Sequence, residues 1–387
     1  MDWTKKDKAY IAGTYNRNDL LITEGKGSRC AGEDGREYID FTSGIGVNSL
    51  GFCEDTWVEA VTDQAKKLQH TSNLFYTQPQ ILLAEELVFR SEIMKKAFFC
   101  NSGAEANETA IKVARKYGNA GSGNKKNRII TLYRSFHGRT MAAITATGQD
   151  NYHRDFFPFL EGFDHCHGGD LETLAELADH KVCAVMIELI QGEGGVIPLD
   201  KEYVEGIAKL CRERDVLLII DEVQTGGGRT GSFFAYQQYG VEPDLVTFAK
   251  GIGGGLPIGG VLFNEKTADV LSFGDHGTTY GGNPIACAGA LAVLKKVTPQ
   301  LLDSVREKGE YMREKLRTME KVEDVVGMGL MIGVKLKEIA PGEVVDQCRE
   351  KGLLVLTAGD KVRLLPPLNI SSHDIRWGLE IVEEVLG

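Results

Sequence analysis

Asp244-Leu-Val-Thr-Phe-Ala-Lys250-Gly-Ile-Gly-Gly-Gly255-Leu-Pro-Ile-Gly-Gly260 ends an apolar run in one lysine and follows it at once with a glycine-rich turn. An ammonium at the end of a buried strand loses hydration, and its pKa falls. The neutral amine can attack a carbonyl and form a Schiff base. Glycines beside it let backbone and a bulky ligand approach without Cβ clashes. Alone, Lys250 reads better as a surface lysine at a strand end; the rest of the chain changes that reading.

Outward from this stretch, short apolar runs at 97–100, 128–133, 182–188, 216–221, 244–248 and 260–263 alternate with amphipathic segments such as 104–117 and 201–214. Continuous apolar strands alternating with helices predict an α/β fold with a mostly parallel sheet covered on both faces. Ligands in such folds bind beyond the carboxyl ends of the strands. The last hundred or so residues differ. Helical stretches at 283–297 and 299–319 precede short strands at 330–335 and around Arg363, and a closing helix starts near Ser372. The expected organisation is an N-terminal segment, 1–48, packing with a small α+β unit, 278–387, around a large domain, 49–277.

The chain has 387 residues, 42% hydrophobic and 26% charged, enough for two or so globular domains. Its formal charge of −11 argues against a nucleic-acid surface. Eight cysteines are scattered without a CxxC pair, as expected of free thiols in a reducing cytoplasm. Asp164-His165-Cys166-His167 looks like a metal cluster, but neighbouring ligands on one loop do not converge on one ion, so no metal is expected. The N-terminus lacks an apolar signal core, and no apolar run reaches the roughly 18 residues of a membrane span.

Four further segments carry candidate chemistry. In Asn101-Ser102-Gly103-Ala104-Glu105, Ser102 and Glu105 form a capping box, and Glu108 with Lys112 supports the helix at i,i+4. The same helix start leaves the N–H groups of Gly103 and Ala104 open to a phosphate. Asp221 ends the most apolar strand, where a carboxylate wants a cation. A protonated heterocyclic nitrogen, an arginine or magnesium would each serve, and Gln224 can present an amide to the same ligand. Phe136 beside His137 and Gly138 can stack on a flat ring, and Arg139 can hold a carboxylate. Thr278-Thr279-Tyr280-Gly281-Gly282-Asn283-Pro284 offers hydroxyls before a helix. In isolation, Phe136 reads as core and Arg139 as a solvated charge.

Order and spacing bring these together. The segments Asn-Ser-Gly-Ala-Glu-Ala-Asn, Ser-Phe-His-Gly-Arg-Thr, Ile-Gln-Gly-Glu-Gly-Gly, Ile-Asp-Glu-Val-Gln-Thr-Gly, Ala-Lys-Gly-Ile-Gly-Gly-Gly-Leu-Pro-Ile-Gly and Thr-Thr-Tyr-Gly-Gly-Asn-Pro are jointly specific. From about Gly27 to the C-terminus the chain resembles the class-III pyridoxal-phosphate-dependent aminotransferases, most closely the acetylornithine group. The resemblance implies fold type I, with a large domain built on a mostly parallel seven-stranded sheet. It implies pyridoxal 5′-phosphate as cofactor, Lys250 as the Schiff-base and proton-moving lysine, and Asp221 as partner of the ring nitrogen. Gln224 would meet the ring hydroxyl, Phe136 the ring face, and Ser102, Gly103 and Ala104 the phosphate. Thr279 would reach the phosphate of a neighbouring subunit, which implies a homodimer with shared sites.

For substrates, the resemblance implies that Arg139 holds the α-carboxylate of an ω-amino donor and Arg363 that of glutamate or 2-oxoglutarate. Glu193 would mask Arg363 during the ω-amine half-reaction, and Tyr76 would line the donor site. Enzymes of this family acting on free ornithine carry a tyrosine near Ile45. Its absence, with Asn73-Leu-Phe-Tyr-Thr77, favours an N-acylated donor and the transamination of N-acetylornithine with 2-oxoglutarate in arginine biosynthesis. The alternatives are ornithine, succinylornithine, acetyl-lysine or 4-aminobutyrate aminotransferases and an aminomutase. Two departures stand out: Leu50-Gly-Phe52-Cys53-Glu54-Asp55 replaces Leu-Gly-His-x-His-Pro, and Leu189 replaces the usual proline after Glu188. Outside this family, a related regulator would need a DNA-binding arm, for which 25 or so preceding residues leave no room. Gly327-Met-Gly329-Leu-Met-Ile-Gly333 only approximates a dinucleotide fingerprint.

Overall fold

The computed structural model describes residues 2–120 and 125–386. A seven-stranded sheet runs in the order Lys96–Cys100, Gly259–Phe263, Leu245–Phe248, Leu217–Asp221, Val182–Ile187, Arg128–Leu132, Phe163–Cys166. Gly259–Phe263 is antiparallel to both neighbours, and the other pairs are parallel. The period of two explains why the strands are apolar throughout. Leu217 and Ile219 pack with Ala106, Ala110 and Val113 of the helix Gly103–Asn119, whereas Leu218 and Ile220 join a second core with Val204 and Ile207 of the helix Lys201–Arg214.

The strand Phe163–Cys166 corrects the sequence expectation of a loop there. It pairs on one side only, and at such an edge polar residues are tolerated: Asp164 meets Arg128 at 2.6 Å. Successive side chains of a strand point to opposite faces, which separates Asp164 from His165. Among the described residues no group of three His, Cys, Asp or Glu side chains could hold a metal ion.

Two four-stranded sheets add to the frame, beside a two-stranded one of Ile190–Gln191 and Ile197–Pro198. Val322–Met328, Met331–Leu336, Lys361–Leu364 and Leu356–Ala358 form an antiparallel sheet that carries Arg363. Gly327 pairs with Ile332 in its first hairpin and Gly329 lies in the tight turn, not at the mouth of a helix, which removes the dinucleotide reading. Ile22–Lys26, Arg29–Gly32 and Glu37–Asp40 form a second sheet with Leu353–Leu354, so N-terminal and C-terminal segments share a ladder. The unusual 52–55 segment has structural work: Glu54 accepts the Trp57 N–H at 2.8 Å and caps the helix Asp55–Lys67. Among the described residues no single helix is long and apolar enough to cross a membrane.

Candidate active site

A cavity of about 460 Å³ opens at the carboxyl ends of the parallel strands. Five of the seven strands deliver parts of its lining: Asn101 and Ser102 follow Lys96–Cys100, Phe136 follows Arg128–Leu132, and Glu188 follows Val182–Ile187. Asp221 closes Leu217–Asp221, and Lys250 follows Leu245–Phe248. This is the crevice that the strand order predicts.

Asp221 is 3% exposed and points to the helix side of the sheet, in phase with Leu217 and Ile219. There its Oδ2 accepts Asn107 Nδ2 and His137 Nδ1, each at 2.8 Å. Its Oδ1 accepts the Val223 N–H at 3.0 Å and the Thr247 hydroxyl at 3.2 Å. Burial alone would raise this carboxyl's pKa, but the bonds from His137, Val223 and Asn107 outweigh it and hold the group below the usual carboxylate range. An ionised carboxylate only accepts, so His137 must carry its proton on Nδ1.

Lys250 has φ of 41°, a left-handed conformation that costs energy for a side-chain-bearing residue. Burial lowers its pKa, while Glu193 and Asp221 pull it back up. An amine of lowered pKa in a cavity floored by a fixed carboxylate suits covalent capture of an aldehyde.

At the other end lies the start of the helix Gly103–Asn119. Ser102 Oγ accepts the Glu105 N–H at 3.2 Å, as the capping box predicts. The return bond differs: Glu105 Oε2 takes the N–H of Asn101 at 2.7 Å, one residue earlier than a capping box requires. Glu108 and Lys112 do not pair. Glu108 accepts the Ala142 N–H at 3.0 Å, and Lys112 reaches His276 Nδ1 at 3.0 Å. A Cβ on Gly103 would lie 2.6 Å from Val223, and one on Gly138 2.8 Å from that of Ala104, so only glycine fits these walls. Helix N–H groups of Gly103 and Ala104 have no intrahelical acceptor and border the same cavity as Lys250 and Asp221. The buried Nε2 of His137, which also lines the cavity, has no hydrogen-bond partner among the described residues. This donor set, with Phe136 as a wall, fits a flat heteroaromatic aldehyde bearing a phosphate. Ser102, Gly103 and Ala104 would take the phosphate, and Asp221 a protonated ring nitrogen.

Two arginines flank the cavity. Arg139 lines it and sits over the ring of Tyr152, its Cζ 4.1 Å from the ring centroid. Arg363 is 2% exposed and donates from Nη1 to Glu193 Oε1 at 2.6 Å and to Gln224 Oε1 at 3.2 Å. Gln224 Nε2 in turn donates to Glu193 at 3.2 Å. Burial would raise the pKa of Glu193, but Arg363 outweighs it and keeps the group ionised. Gly333, opposite Arg363 in the register, permits this: a Cβ there would lie 2.8 Å from Val196 of the Glu193 loop.

The structure thus gathers Lys250, Asp221, Gln224, Phe136, Ser102, Gly103, Ala104 and Arg139 around one cavity, with Glu193 and Arg363 joined to it through Gln224. Tyr76 and Thr279 do not belong to this group. Tyr76 is 96% exposed, and Thr279 also faces outward. Asn107, His137, Tyr152 and Glu188 carry parts of the site that the sequence did not reveal. The one available signal was polar residues at otherwise apolar strand or helix positions.

The class-III aminotransferase family model matches residues 10–386. The acetylornithine aminotransferase of Haemophilus ducreyi is 50% identical over 98% of this chain and 97% of its own length. That of Methanocaldococcus jannaschii is 45% identical over 99% and 98%. Among solved structures, the N-acetylornithine aminotransferase of Stenotrophomonas maltophilia is 36% identical, with a TM-score of 0.85 over 98% of this chain and 97% of its own. The ornithine aminotransferase of Toxoplasma gondii is 31% identical, with a TM-score of 0.94 over 100% and 94%.

Proposed function

Since the chain belongs to the class-III aminotransferases, we propose that it transfers the δ-amino group of N2-acetyl-L-ornithine to 2-oxoglutarate by a ping-pong reaction in arginine biosynthesis. The products are N-acetyl-L-glutamate 5-semialdehyde and L-glutamate. The observation that carries this reading is the pair of arginines, one open and one masked by a carboxylate, around a buried lysine. Full-length identities of 41–50% to acetylornithine aminotransferases support the same donor.

Pyridoxal 5′-phosphate, when bound, supplies an electron sink for charge developing at the substrate carbon. The chain's own groups do the rest. Asp221, ionised and held by His137 and Asn107, keeps a ring nitrogen protonated. Lys250 Nζ moves the proton at the substrate carbon once it is free. Arg139 holds the α-carboxylate of the acylated donor and so turns its far amine toward Lys250. Glu193 stays on Arg363 in that half-reaction and leaves it in the other, where Arg363 takes the α-carboxylate of glutamate. Gln224 touches both sides of that pair.

A homodimer with shared sites fits the outward face of the segments around Tyr76 and Thr279. Leu74, Phe75, Tyr76 and Tyr280 are exposed by 62% or more. Asn73 ties the two segments together by donating to the Gly281 carbonyl at 2.9 Å. An exposed apolar patch of this kind suits a second copy of the chain, to whose cavity Tyr76 and Thr279 would be offered. Eight free cysteines, seven of them buried, agree with work in a reducing cytoplasm.

The test is a half-reaction panel. The yellow holoenzyme is mixed with N-acetylornithine, ornithine, succinylornithine, acetyl-lysine or 4-aminobutyrate, without keto acid, and loss of its visible absorbance is followed. Fastest bleaching by N-acetylornithine is expected. Faster bleaching by free ornithine would replace the donor and retain the chemistry, and a protein that takes up no cofactor would overturn the proposal.

A further inference from the structure

Glu188 ends the strand Val182–Ile187 at the cavity wall, 5% exposed. Its Oε2 accepts the Phe136 N–H at 2.8 Å and its Oε1 the Gly192 N–H at 3.3 Å. Among the described residues these two backbone groups are its hydrogen-bond donors. Phe136 opens the loop that ends in Arg139, and Gly192 immediately precedes Glu193. One carboxylate therefore grips both loops that handle substrate carboxylates. The loops also touch elsewhere: Gln191 Nε2 donates to the Tyr133 carbonyl at 2.9 Å, and a Cβ on Gly194 would lie 2.1 Å from the Arg134 carbonyl.

We propose that Glu188 is a positioning residue for both half-reactions, whose carboxylate fixes the separation of the Arg139 loop from the Glu193 loop. The inference rests on the aminotransferase reading above. The two N–H donors meet different atoms of one side-chain end, and a carboxylate presents an acceptor at both. A glutamine would turn its NH₂ against one of the donors, whereas an aspartate keeps two acceptor oxygens on a shorter arm. Burial pushes the Glu188 carboxyl up to about 7, with His137 opposing and Asp221 adding to the rise. Glu188 also acts on Lys250, whose pKa it raises. Protonation would cost Glu188 one acceptor, so the wild-type clip should loosen as pH falls through about 7.

The experiment compares wild-type, Glu188→Gln and Glu188→Asp holoenzymes in two ways. Hydrogen exchange at the Phe136 and Gly192 amides should be about tenfold faster in E188Q at pH 8. The kcat/KM of both half-reactions, with N-acetylornithine and with glutamate, should fall about tenfold or more, chiefly through KM. E188D should lose less, and the acid limb of wild type near pH 7 should be absent from E188Q. Exchange and both kcat/KM values within twofold of wild type would overturn the clip, as would a loss confined to one half-reaction. If E188Q does not fold, protection of the two amides in wild type decides, and protection that does not weaken below pH 7 overturns it. A wild type that no ω-amine bleaches sinks the aminotransferase reading instead, while the amide exchange still judges Glu188.

Discussion

Glu193→Ala separates the two halves of the proposed reaction. Arg363 Nη1 sits 2.6 Å from Glu193 Oε1, with side chains 3% and 22% exposed. Unit charges about 4 Å apart at an effective dielectric of about 20 attract by about 4 kcal/mol. Couplings of close, desolvated charge pairs run from about 1.5 to 7 kcal/mol after desolvation, which puts this pair at about 3 kcal/mol. When glutamate binds, Arg363 must first leave Glu193, so the variant removes a cost from that half-reaction. When N-acetylornithine binds, the unmasked Arg363 attracts its α-carboxylate and draws the acylated end to Lys250, where no free amine is presented. At 1.4 kcal/mol per decade, the ratio of kcat/KM for N-acetylornithine over glutamate should fall roughly a hundred-fold. Single-turnover bleaching with each amine, measured at matched pH, gives the ratio directly. An equal loss in both half-reactions would show that Glu193 serves the loop's shape and not the choice of substrate.

Other perturbations test separate parts of the site. Arg139→Ala should raise KM for N-acetylornithine roughly tenfold to a hundred-fold, the worth of charge-assisted bonds to a carboxylate, and touch glutamate less; steady-state kinetics with both donors will show whether it does. His137→Phe removes a bond that holds the Asp221 pKa down against burial. The variant's Asp221 should therefore protonate at higher pH than in wild type, so activity should be lost on the acid side and recovered as pH rises; a pH profile parallel to wild type would contradict this. Asp374 meets Arg29 at 2.7 Å with its side chain 10% exposed. Burial would raise its carboxyl, but Arg29 and Ser28 outweigh that and hold it at about 2 rather than 3.8, worth about 2 kcal/mol at neutral pH. Because the folded-state value is depressed, that stability is present above the unfolded pKa and lost as pH falls toward about 2. Urea denaturation of Asp374→Asn should show the deficit at pH 7, shrinking below about pH 4.

What the sequence revealed divides along physical lines. Lys250 and Asp221 were visible because each is a charged residue closing an apolar strand, a local break in pattern. The helix start at Ser102 was visible because caps are built within four residues. Asn107 and His137 were not, because their partner Asp221 lies 114 and 84 residues away, and no spacing rule spans that gap. The strand Phe163–Cys166 was hidden by its polarity, since an edge strand does not need the apolar run of a central one. Glu108 and Lys112 had the spacing of a helical pair, yet tertiary partners claimed both. The Arg363–Glu193 contact was named through family resemblance, not through the residues. Its geometry depends on the Glu193 loop meeting the sheet of Arg363 at Gly333.

The glycines against which neighbouring chains press have a consequence for how such a site can change over generations. At Gly103, Gly194 and Gly333 the smallest possible side chain would already lie within 2.8 Å of another atom. The floor and the seam between loops therefore have no graded substitutions, and drift there meets a wall at its first step. Ile45 is 43% exposed, and Val47 lines the cavity's edge. Adaptation to donors of another length or another acyl group should accordingly collect at the rim, around chemistry whose dimensions are fixed by atoms that are missing.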